Sequence, residues 1–533
     1  MRKKIIYSTT ILLISIFVFS IIGTNANSTL FYGKAGENKL ETNGIEIEWT
    51  ANGTRVCGEI ENQKNASICC DGAGGAIIVW EDSRVGGAMT DIYAQKIDAA
   101  GIGQWTDNGT AICTEDNYQE APQICCDGEG GAIITWQDFR NGSYYDIYAQ
   151  KINATGYIQW IANGTPICTE NHNQEAPQIC CDGTGGAIIT WQDYRNQNDF
   201  DIYAQRINST GHIKWTANGT TICNETQNQE NPQICCDGAS AIITWQDYRN
   251  GLCDIYAQKL DSTGNIQWTA NGTAICNEIE NQQYPQICCD GAGGAIIVWE
   301  DCRVGGAITD IYAQKINATG STKWALDGTA ICTENNEQYV PQICCDGAGG
   351  AVIVWQDYRS GSTWDIYAQK ISATENIQWT GNGTAICTEI QNQQAPQICC
   401  NGEGGAVIVW QDYRSGSTWD IYAQNIDAEG NFQWMVNGTA ICTEILDQDT
   451  PQICCYGKSA IITWQDYRNF FYDIYVQKVT EEEGPDTRML LLVAAAATSG
   501  GQGFLGLSTG TWMIIGAAVG VLVIIMAVAA KKK

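Results

Sequence analysis

The motif W-[QE]-D-x-R places an aromatic ring, a carboxylate and a guanidinium at alternate positions, and it recurs along most of this chain. In one copy these residues are Trp136, Asp138 and Arg140, and Asp146 begins the next apolar run. Alternate residues of a β-strand share one face, so the three side chains are expected to lie side by side. A ring of such carboxylates could hold cations or sugars. An Asp–Arg pair repeated for structure is the favoured interpretation, because the arginine already neutralises the carboxylate.

A glutamate recurs in every copy, between the fourth strand of one repeat and the first strand of the next. Eight carboxylates on one face of a ring could bind a cation such as Ca²⁺, although solvated loop charge is the commoner explanation. The sequence indicates no other cofactor. The candidate metal ligands are Glu115, Glu170, Glu334 and Glu389.

The hairpin after the D-Y-R segment differs most between copies and carries aromatic residues. Binding residues concentrate on variable loops held by a rigid frame. These rings are expected to stack on a sugar or a protein ligand, or alternatively to cover a neighbouring repeat. The candidate ligand-binding residues are Tyr144, Tyr145, Phe200, Trp364, Trp419, Phe470, Phe471 and Tyr472.

The chain has 26 cysteines, and all but Cys253 and Cys302 follow the repeat. Each repeat has an adjacent pair in its first strand and one further cysteine at the end of its fourth. Adjacent residues point to opposite faces of a strand, so a bond within the pair is not expected. A disulfide within one repeat, of the Cys332–Cys344 kind, and burial as small apolar residues both stay open. The candidate disulfide cysteines are Cys113, Cys125, Cys168, Cys180, Cys332 and Cys344.

No nucleophile with a base and no pair of acids stands apart from the repeats. The two histidines, His172 and His212, lie in loop-like contexts. Catalysis needs a distinct constellation of such groups. The sequence therefore predicts no catalytic residue and a protein that is not an enzyme.

These residues recur at intervals of 54 to 56 positions, which indicates a repeat architecture. Four short apolar, β-branched runs fill each repeat, separated by Asp-Gly, Asn-Gly and Thr-Gly turns. Four antiparallel strands describe a propeller blade. The motif tryptophans are Trp80, Trp136, Trp191, Trp245, Trp299, Trp355, Trp410 and Trp464.

The two ends of the repeat region are offset by one strand. The first segment that matches the repeat, Ile47 to Cys57, corresponds to a fourth strand that no first, second or third strand precedes. The last repeat ends after three strands, near Val479. Pairing these ends would close a ring and remove its free edges. The sequence predicts an all-β, eight-bladed β-propeller over residues 45–480, closed by an N-terminal strand. An open solenoid or a string of small β domains is the alternative.

The repeats resemble a family of about 55-residue repeats in secreted bacterial and archaeal proteins. The shared pattern is P-x-I-x-x-D-G-x-G-G-A-I-x-x-W-x-D-x-R, followed by D-I-Y-A-Q, and it covers residues 45–480. The resemblance implies a propeller-like fold and implies no activity.

Apolar runs at both ends predict export and anchoring. Residues 1–26 have the basic start, short apolar core and small-residue exit of a signal peptide, with an uncleaved anchor as the alternative. Residues 27–44 form a lead. After a juxtamembrane stalk at 481–511, the uncharged run 512–530 is long enough for one transmembrane helix, and the lysines at 531–533 predict a cytoplasmic C-terminus. The expected topology is a single-pass cell-membrane protein with its body outside.

A net charge of −30 disfavours nucleic acid and anionic lipid as partners. N-x-[ST] sequons are frequent, although several arise from the word N-G-T, which also makes turns. The candidate glycosylation sites are Asn108, Asn163, Asn218, Asn271, Asn382 and Asn437.

These features predict a membrane-anchored extracellular propeller that binds a glycan or protein ligand at several similar sites, without catalysis. Two alternatives are a structural component of the cell envelope and an extracellular glycan-processing enzyme.

Overall fold

The structure is a computed structural model that describes residues 40–42, 45–86, 89–305 and 308–481. The predicted signal peptide, most of the stalk, the predicted transmembrane helix at 512–530 and the basic tail lie outside the described residues. Within the described ranges, no helix has the length and apolar character needed to span a bilayer.

The described chain folds into short antiparallel strands. The first three are β1 (Leu40–Thr42), β2 (Ile45–Ile47) and β3 (Thr54–Cys57). Blade 1 comprises β4 (Gln63–Cys70), β5 (Ala76–Asp82), β6 (Asp91–Ile97) and β7 (Thr110–Cys113). Blade 2 comprises β8 (Gln119–Cys126), β9 (Ala132–Asp138), β10 (Asp146–Ile152) and β11 (Thr165–Cys168). Blade 3 comprises β12 (Gln174–Cys181), β13 (Ala187–Asp193), β14 (Asp201–Ile207) and β15 (Thr220–Cys223). Blade 4 comprises β16 (Gln229–Asp237), β17 (Ser240–Asp247), β18 (Asp254–Leu260) and β19 (Thr273–Cys276).

The remaining strands repeat this order. Blade 5 comprises β20 (Gln282–Cys289), β21 (Ala295–Asp301), β22 (Asp310–Ile316) and β23 (Thr329–Cys332). Blade 6 comprises β24 (Gln338–Cys345), β25 (Ala351–Asp357), β26 (Asp365–Ile371) and β27 (Thr384–Cys387). Blade 7 comprises β28 (Gln393–Cys400), β29 (Ala406–Asp412), β30 (Asp420–Ile426) and β31 (Thr439–Cys442). Blade 8 takes β32 (Gln448–Tyr456), β33 (Ser459–Asp466) and β34 (Asp473–Glu481) from the C-terminal side.

The N-terminal strand β3 supplies the fourth strand of blade 8. It pairs with β34 in the register Thr54↔Val476. β2 also pairs with β34, and β1 extends this sheet by pairing with β2. The first strands of neighbouring blades contact each other all round the ring, and β32 contacts β4 where it closes. The predicted eight-bladed propeller with an N-terminal closing strand is therefore confirmed, and the open solenoid is excluded.

The hydrophobic core lies between neighbouring blades. Trp136 of blade 2 is fully buried and packs in one cluster with Ile77 and Val79 of blade 1. The Asn-Gly turn before each fourth strand, which is Asp-Gly in blade 5, makes room for this ring. Gly164 has a φ of +100°, and a Cβ there would stand 2.7 Å from the Trp136 ring, so only glycine fits.

Candidate functional site

The W-D-R motif forms a closed hydrogen-bond network in each blade. In blade 2 the Trp136 indole donates to Asp138 Oδ2 at 2.7 Å, and Arg140 donates to both oxygens of Asp138 at 2.6 and 2.8 Å. The same arginine donates to the Asn163 carbonyl at 2.7 Å and lies over the Tyr148 ring at 3.8 Å. Both the charge and the lone pairs of Asp138 are used within the protein. The geometry therefore agrees with the repeated Asp–Arg pair rather than a row of open carboxylate sites.

A second aspartate lies beside each network. Asp146 stands opposite Asp138 in the pairing of β10 with β9. Burial raises the pKa of Asp146 to about 6, and Asn141 donates to its Oδ2 at 3.0 Å. Burial in the same position raises the pKa to about 6 at Asp91, Asp310, Asp365 and Asp420, and to about 7 at Asp201. These carboxyl groups can hold a proton at mildly acidic pH.

The glutamates predicted as candidate metal ligands each contact a neighbouring blade. Each accepts a hydrogen bond from the side-chain amide of an asparagine one repeat later. The pairs are Glu115 with Asn163 at 2.7 Å, Glu170 with Asn218 at 2.7 Å, Glu334 with Asn382 at 2.9 Å and Glu389 with Asn437 at 2.9 Å. Across the described ranges, no group of three or more His, Cys, Asp or Glu side chains is arranged to hold a metal ion.

The same contacts involve the candidate glycosylation sites. Asn108 and Asn271 donate in the same way, to Glu59 at 2.7 Å and Glu225 at 2.8 Å. All six asparagines have a positive φ, between 58° and 62°, at the start of the Asn-Gly turn. Each amide nitrogen that would carry a glycan therefore already donates to a glutamate, while the backbone of the same residue forms the turn. Glycosylation at these positions stays a prediction.

Most of the loop aromatics pack against their own blade. Tyr145 lies 5.0 Å from Phe139 and donates to Glu120 at 2.7 Å. Trp364 lies 4.9 Å from Tyr358 and 5.5 Å from Tyr339.

The other six candidate ligand-binding aromatics include four with a ring partner and two without one among the described residues. Tyr144 packs on His172, Phe200 on Tyr194, Trp419 on Tyr413 and Tyr472 on Tyr467. Phe470 and Phe471 are the most open of the eight, at 71% and 37% exposure. Only these two present an open ring face of the kind that the stacking hypothesis requires.

The disulfides within one blade, which the sequence left open beside burial as thiols, are not among the bonds of the structure. Cys180 is bonded to Cys236 in the next blade rather than to Cys168, and Cys399 is bonded to Cys455. The fourth-strand cysteines lie in the W-D-R networks instead. Cys113 Sγ lies 3.7 Å from Asp138 and accepts from Arg140 at 3.3 Å. The correction follows from packing, because the adjacent cysteines of a first strand face the first strands of the neighbouring blades.

An open cavity of about 630 Å³ lies on the rim of blade 7, between its variable hairpin and the loop after β31. It contains two carboxyl groups, those of Asp420 and Glu444. Burial raises the pKa of Asp420 to about 6, as at four other third-strand aspartates, and Glu444 accepts from Asn52 at 2.9 Å. The other lining residues are Arg414, Ser415, Ser417, Thr418, Tyr422, Thr443, Ile445 and Leu446.

This pair of acids is not evident from the sequence. Asp420 opens a third strand and Glu444 follows the fourth, so they are 24 positions apart and were treated as two separate repeated features. The antiparallel pairing of β30 with β31 brings their ends to one rim. The detectable signal was that in every copy the aspartate begins the third strand and the glutamate follows the end of the fourth, two places that antiparallel pairing brings together.

Two further buried carboxyls were also overlooked. Glu81 and Glu300 replace the glutamine of the motif in blades 1 and 5. Glu300 accepts from the Val340 backbone at 2.8 Å, and burial raises its pKa to about 7. In blade 2, Gln137 accepts from the Ala176 backbone in the same way. The glutamates therefore keep a structural contact that glutamine makes elsewhere.

No protein-family model and no curated protein sequence matches the chain. Solved structures do resemble it. An endo-arabinase from Bacteroides thetaiotaomicron is 14% identical with a TM-score of 0.30, over 48% of this chain and 94% of that one. A Penicillium chrysogenum α-L-arabinanase in complex with arabinobiose is 12% identical with a TM-score of 0.35, over 58% and 93%. A polysaccharide lyase described as an ulvan lyase is 10% identical with a TM-score of 0.43, over 74% and 97%.

These neighbours correct the prediction of a non-catalytic binding or adhesion protein that is not an enzyme. The similar structures named above are glycoside hydrolases and a polysaccharide lyase. At such low similarity they assign neither an activity nor a substrate to this chain. Any activity must be argued from its own residues.

Proposed function

We propose that this protein cleaves glycans at the rim cavity of blade 7. This function corresponds to the alternative predicted from the sequence, an extracellular glycan-processing enzyme. The observation that carries the proposal is the presence of Asp420 and Glu444 in one open cavity. Cleavage of a glycosidic bond commonly uses two carboxyl groups, one as proton donor and one as carboxylate.

Asp420 suits the role of proton donor. Burial raises the pKa of Asp420 to about 6, with the nearby Asp412 carboxylate adding to the effect. A carboxyl group with such a pKa keeps its proton at mildly acidic pH and can give it to a leaving oxygen. Asp420 lines the cavity, with 6% of the residue exposed.

Glu444 suits the role of the second carboxylate. The Asn52 amide fixes one of its oxygens, and the other lone pairs are available to a substrate water or sugar carbon. The hydroxyls of Ser417 and Thr418 in the same cavity can hydrogen-bond sugar hydroxyls.

The charge of the site indicates the class of glycan. Arg414 is already paired with Asp412 at 2.6 Å and lies over Tyr422 at 3.7 Å, so it does not provide a free positive charge. The whole chain carries a net charge of −30. A polyanionic glycan would be repelled, so the proposed substrate is a neutral polysaccharide.

The test is release of new reducing ends from a panel of neutral polysaccharides by the full chain. Asp420→Asn and Glu444→Gln should each lower the rate by about 100-fold or more, in line with loss of a general acid or base. The matched control is Asp365→Asn, because blade 6 carries the same S-G-S-T-W hairpin and its aspartate has the same raised pKa of about 6. Equal losses in all three variants, or full activity in Asp420→Asn, would overturn the proposal.

We also propose that the propeller is held outside the cell by one C-terminal helix, with its glycan partner in that compartment. The apolar run 512–530 and the three lysines after it support this placement. A chain ending near Gly484 should be released into the medium, whereas the full chain should stay with the membrane fraction. Retention of the truncated chain would contradict the proposed anchor.

A further inference from the structure

The first strand of every blade contains two adjacent cysteines, and this strand faces one neighbouring blade on each side. Adjacent residues on a strand point to opposite faces. The first cysteine of each pair therefore faces the next blade, and the second faces the preceding blade. The two bonds already formed follow this rule, since Cys180 and Cys399 are first members while Cys236 and Cys455 are second members.

We propose that the cysteine pairs of the eight first strands form a closed belt of eight disulfides, one at each junction between neighbouring blades. The belt would consist of Cys69–Cys126, Cys125–Cys181, Cys180–Cys236, Cys235–Cys289, Cys288–Cys345, Cys344–Cys400, Cys399–Cys455 and Cys454–Cys70.

Side-chain packing at four of the six other junctions supports this pairing. In each case the two cysteines belong to the same cluster of packed side chains between the two blades. These pairs are Cys69 with Cys126, Cys125 with Cys181, Cys288 with Cys345 and Cys344 with Cys400. In all four clusters a first member shares the cluster with the second member of the next blade, in agreement with the alternation rule.

The remaining two junctions show the second member reaching back toward the preceding blade. Cys289 Sγ lies 3.2 Å from the Cys236 carbonyl, and Cys70 Sγ lies 3.1 Å from the Cys455 carbonyl. Those carbonyls directly follow Cys235 and Cys454, the proposed partners. Burial and the neighbouring Cys289 thiol raise the pKa of Cys235, and burial and Cys70 do the same for Cys454.

The junction between Cys454 and Cys70 has a special consequence. It joins blade 8 to blade 1, where the ring is otherwise closed only by strand pairing and packing. A bond there would make the belt continuous and would hold the two ends of the repeat region together covalently.

The fourth-strand cysteines stay outside the belt. Cys113 is fully buried and contacts Asp138 and Arg140 of the next blade, and burial together with Asp138 raises the pKa of its thiol to about 12. These contacts place the Cys113 sulfur in the W-D-R network of the next blade. The same contact with an aspartate recurs at Cys57, Cys168, Cys223, Cys276, Cys332, Cys387 and Cys442.

Each new bond of the belt requires an oxidant, and the chemical class that fits is a disulfide-bearing exchange partner. A thiolate attacks one sulfur of the partner's disulfide to give a mixed disulfide, and the second cysteine then displaces the partner. The protein loses two protons and two electrons for each S–S bond formed, and the partner leaves as two thiols. The predicted export of this chain would bring it to a compartment where such partners operate.

The test is disulfide mapping of the full chain after alkylation in denaturant without reductant. Mass spectrometry should find the eight linked peptide pairs above, and alkyl groups on the remaining cysteines. Those are Cys57, Cys113, Cys168, Cys223, Cys253, Cys276, Cys302, Cys332, Cys387 and Cys442. Stoichiometric alkylation of any belt cysteine, or a link from a belt cysteine to a fourth-strand cysteine, would overturn the closed belt.

Two variants test the proposed bond between Cys454 and Cys70. Cys70→Ser should free one thiol, that of Cys454, and leave the other seven links in place. The matched control Cys113→Ser should keep all eight links, because Cys113 lies in a W-D-R network. A map of Cys70→Ser in which Cys454 is linked to a different cysteine would contradict the proposed neighbours. The wild-type map decides the proposal even if a variant fails to fold.

Discussion

The second strand of each blade and the hairpin that follows it are adjacent in sequence, yet they behave in opposite ways. The Arg–Asp contact at the end of the second strand varies only between 2.5 and 2.6 Å across the eight blades. The hairpin a few residues later differs in length and composition from blade to blade. The repeated W-D-R residues therefore build the frame, whereas the hairpins beside this frame vary, and the hairpin of blade 7 lines a cavity.

Removing the aspartate carboxylate from one W-D-R network should have the largest effect on the free energy of unfolding. Asp247→Ala in blade 4 would leave Arg249 and the Trp245 indole without the acceptor that they share at 2.5 and 2.8 Å. Losing one partner of a buried ion pair costs about 3–5 kcal/mol. Urea unfolding should show this loss, whereas Ser417→Ala in an exposed hairpin should leave the midpoint unchanged. An unchanged midpoint in Asp247→Ala would show that the network does not support the fold.

Substituting the turn glycine that contacts the buried tryptophan also tests the packing of the frame. Gly164→Ala should destabilise the protein by about 1–3 kcal/mol, because the added Cβ meets the Trp136 ring at 2.7 Å and the φ of +100° is unfavourable. Gly381→Ala is the matched control, since a Cβ there meets nothing within 4 Å. Thermal unfolding of the two variants gives the comparison. Equal melting temperatures would mean that the turn adapts.

The hairpin aromatics should divide into packed and open residues. Trp364→Ala should cost about 1–2 kcal/mol, because its ring lies against Tyr358 and Tyr339. Phe470→Ala should have almost no effect on unfolding, because the side chain is 71% exposed. Denaturant unfolding measures both, and similar losses at the two positions would remove the distinction.

The smallest expected effect is the pH dependence of stability that comes from the buried aspartates beside the W-D-R networks. Burial and the nearby Asp199 raise the pKa of Asp201 from 3.8 to about 7, so the folded protein keeps a proton that the unfolded chain releases. The stabilisation is therefore complete below pH 3.8 and is lost as the pH rises through about 7. Between pH 4 and 8 the melting temperature of wild type should fall more than that of Asp201→Asn. The exposed Asp107→Asn should follow wild type, and parallel curves for all three proteins would contradict the raised pKa.

The fold was predictable because its signals are local and repeated. The spacing of the motif tryptophans, the turn words and the offset ends were enough to predict eight blades and the closing strand β3. The cysteine partners were not predictable in the same way. Whether Cys180 meets Cys168 or Cys236 depends on how the first strands pack round the ring, which no spacing within one repeat reveals.

The candidate site was hidden for a related reason. Asp420 and Glu444 each belong to a set of eight similar residues, so neither stands out by type or position. They become visible as a pair through the cavity formed by the blade 7 hairpin and the loop after β31. The loop aromatics drew attention as exposed rings, but six of the eight have a ring partner in the structure.

The most direct measurement is the pH dependence of kcat/KM on a neutral polysaccharide that the full chain cleaves. If Asp420 gives its proton in the reaction, kcat/KM should fall about tenfold per pH unit above its pKa of about 6. Asp365→Asn should keep this profile, and Asp420→Asn should lose both the activity and the profile. A kcat/KM that stays level from pH 5 to pH 8, or a profile that Asp420→Asn leaves intact, would contradict the assignment of blade 7 as the catalytic site.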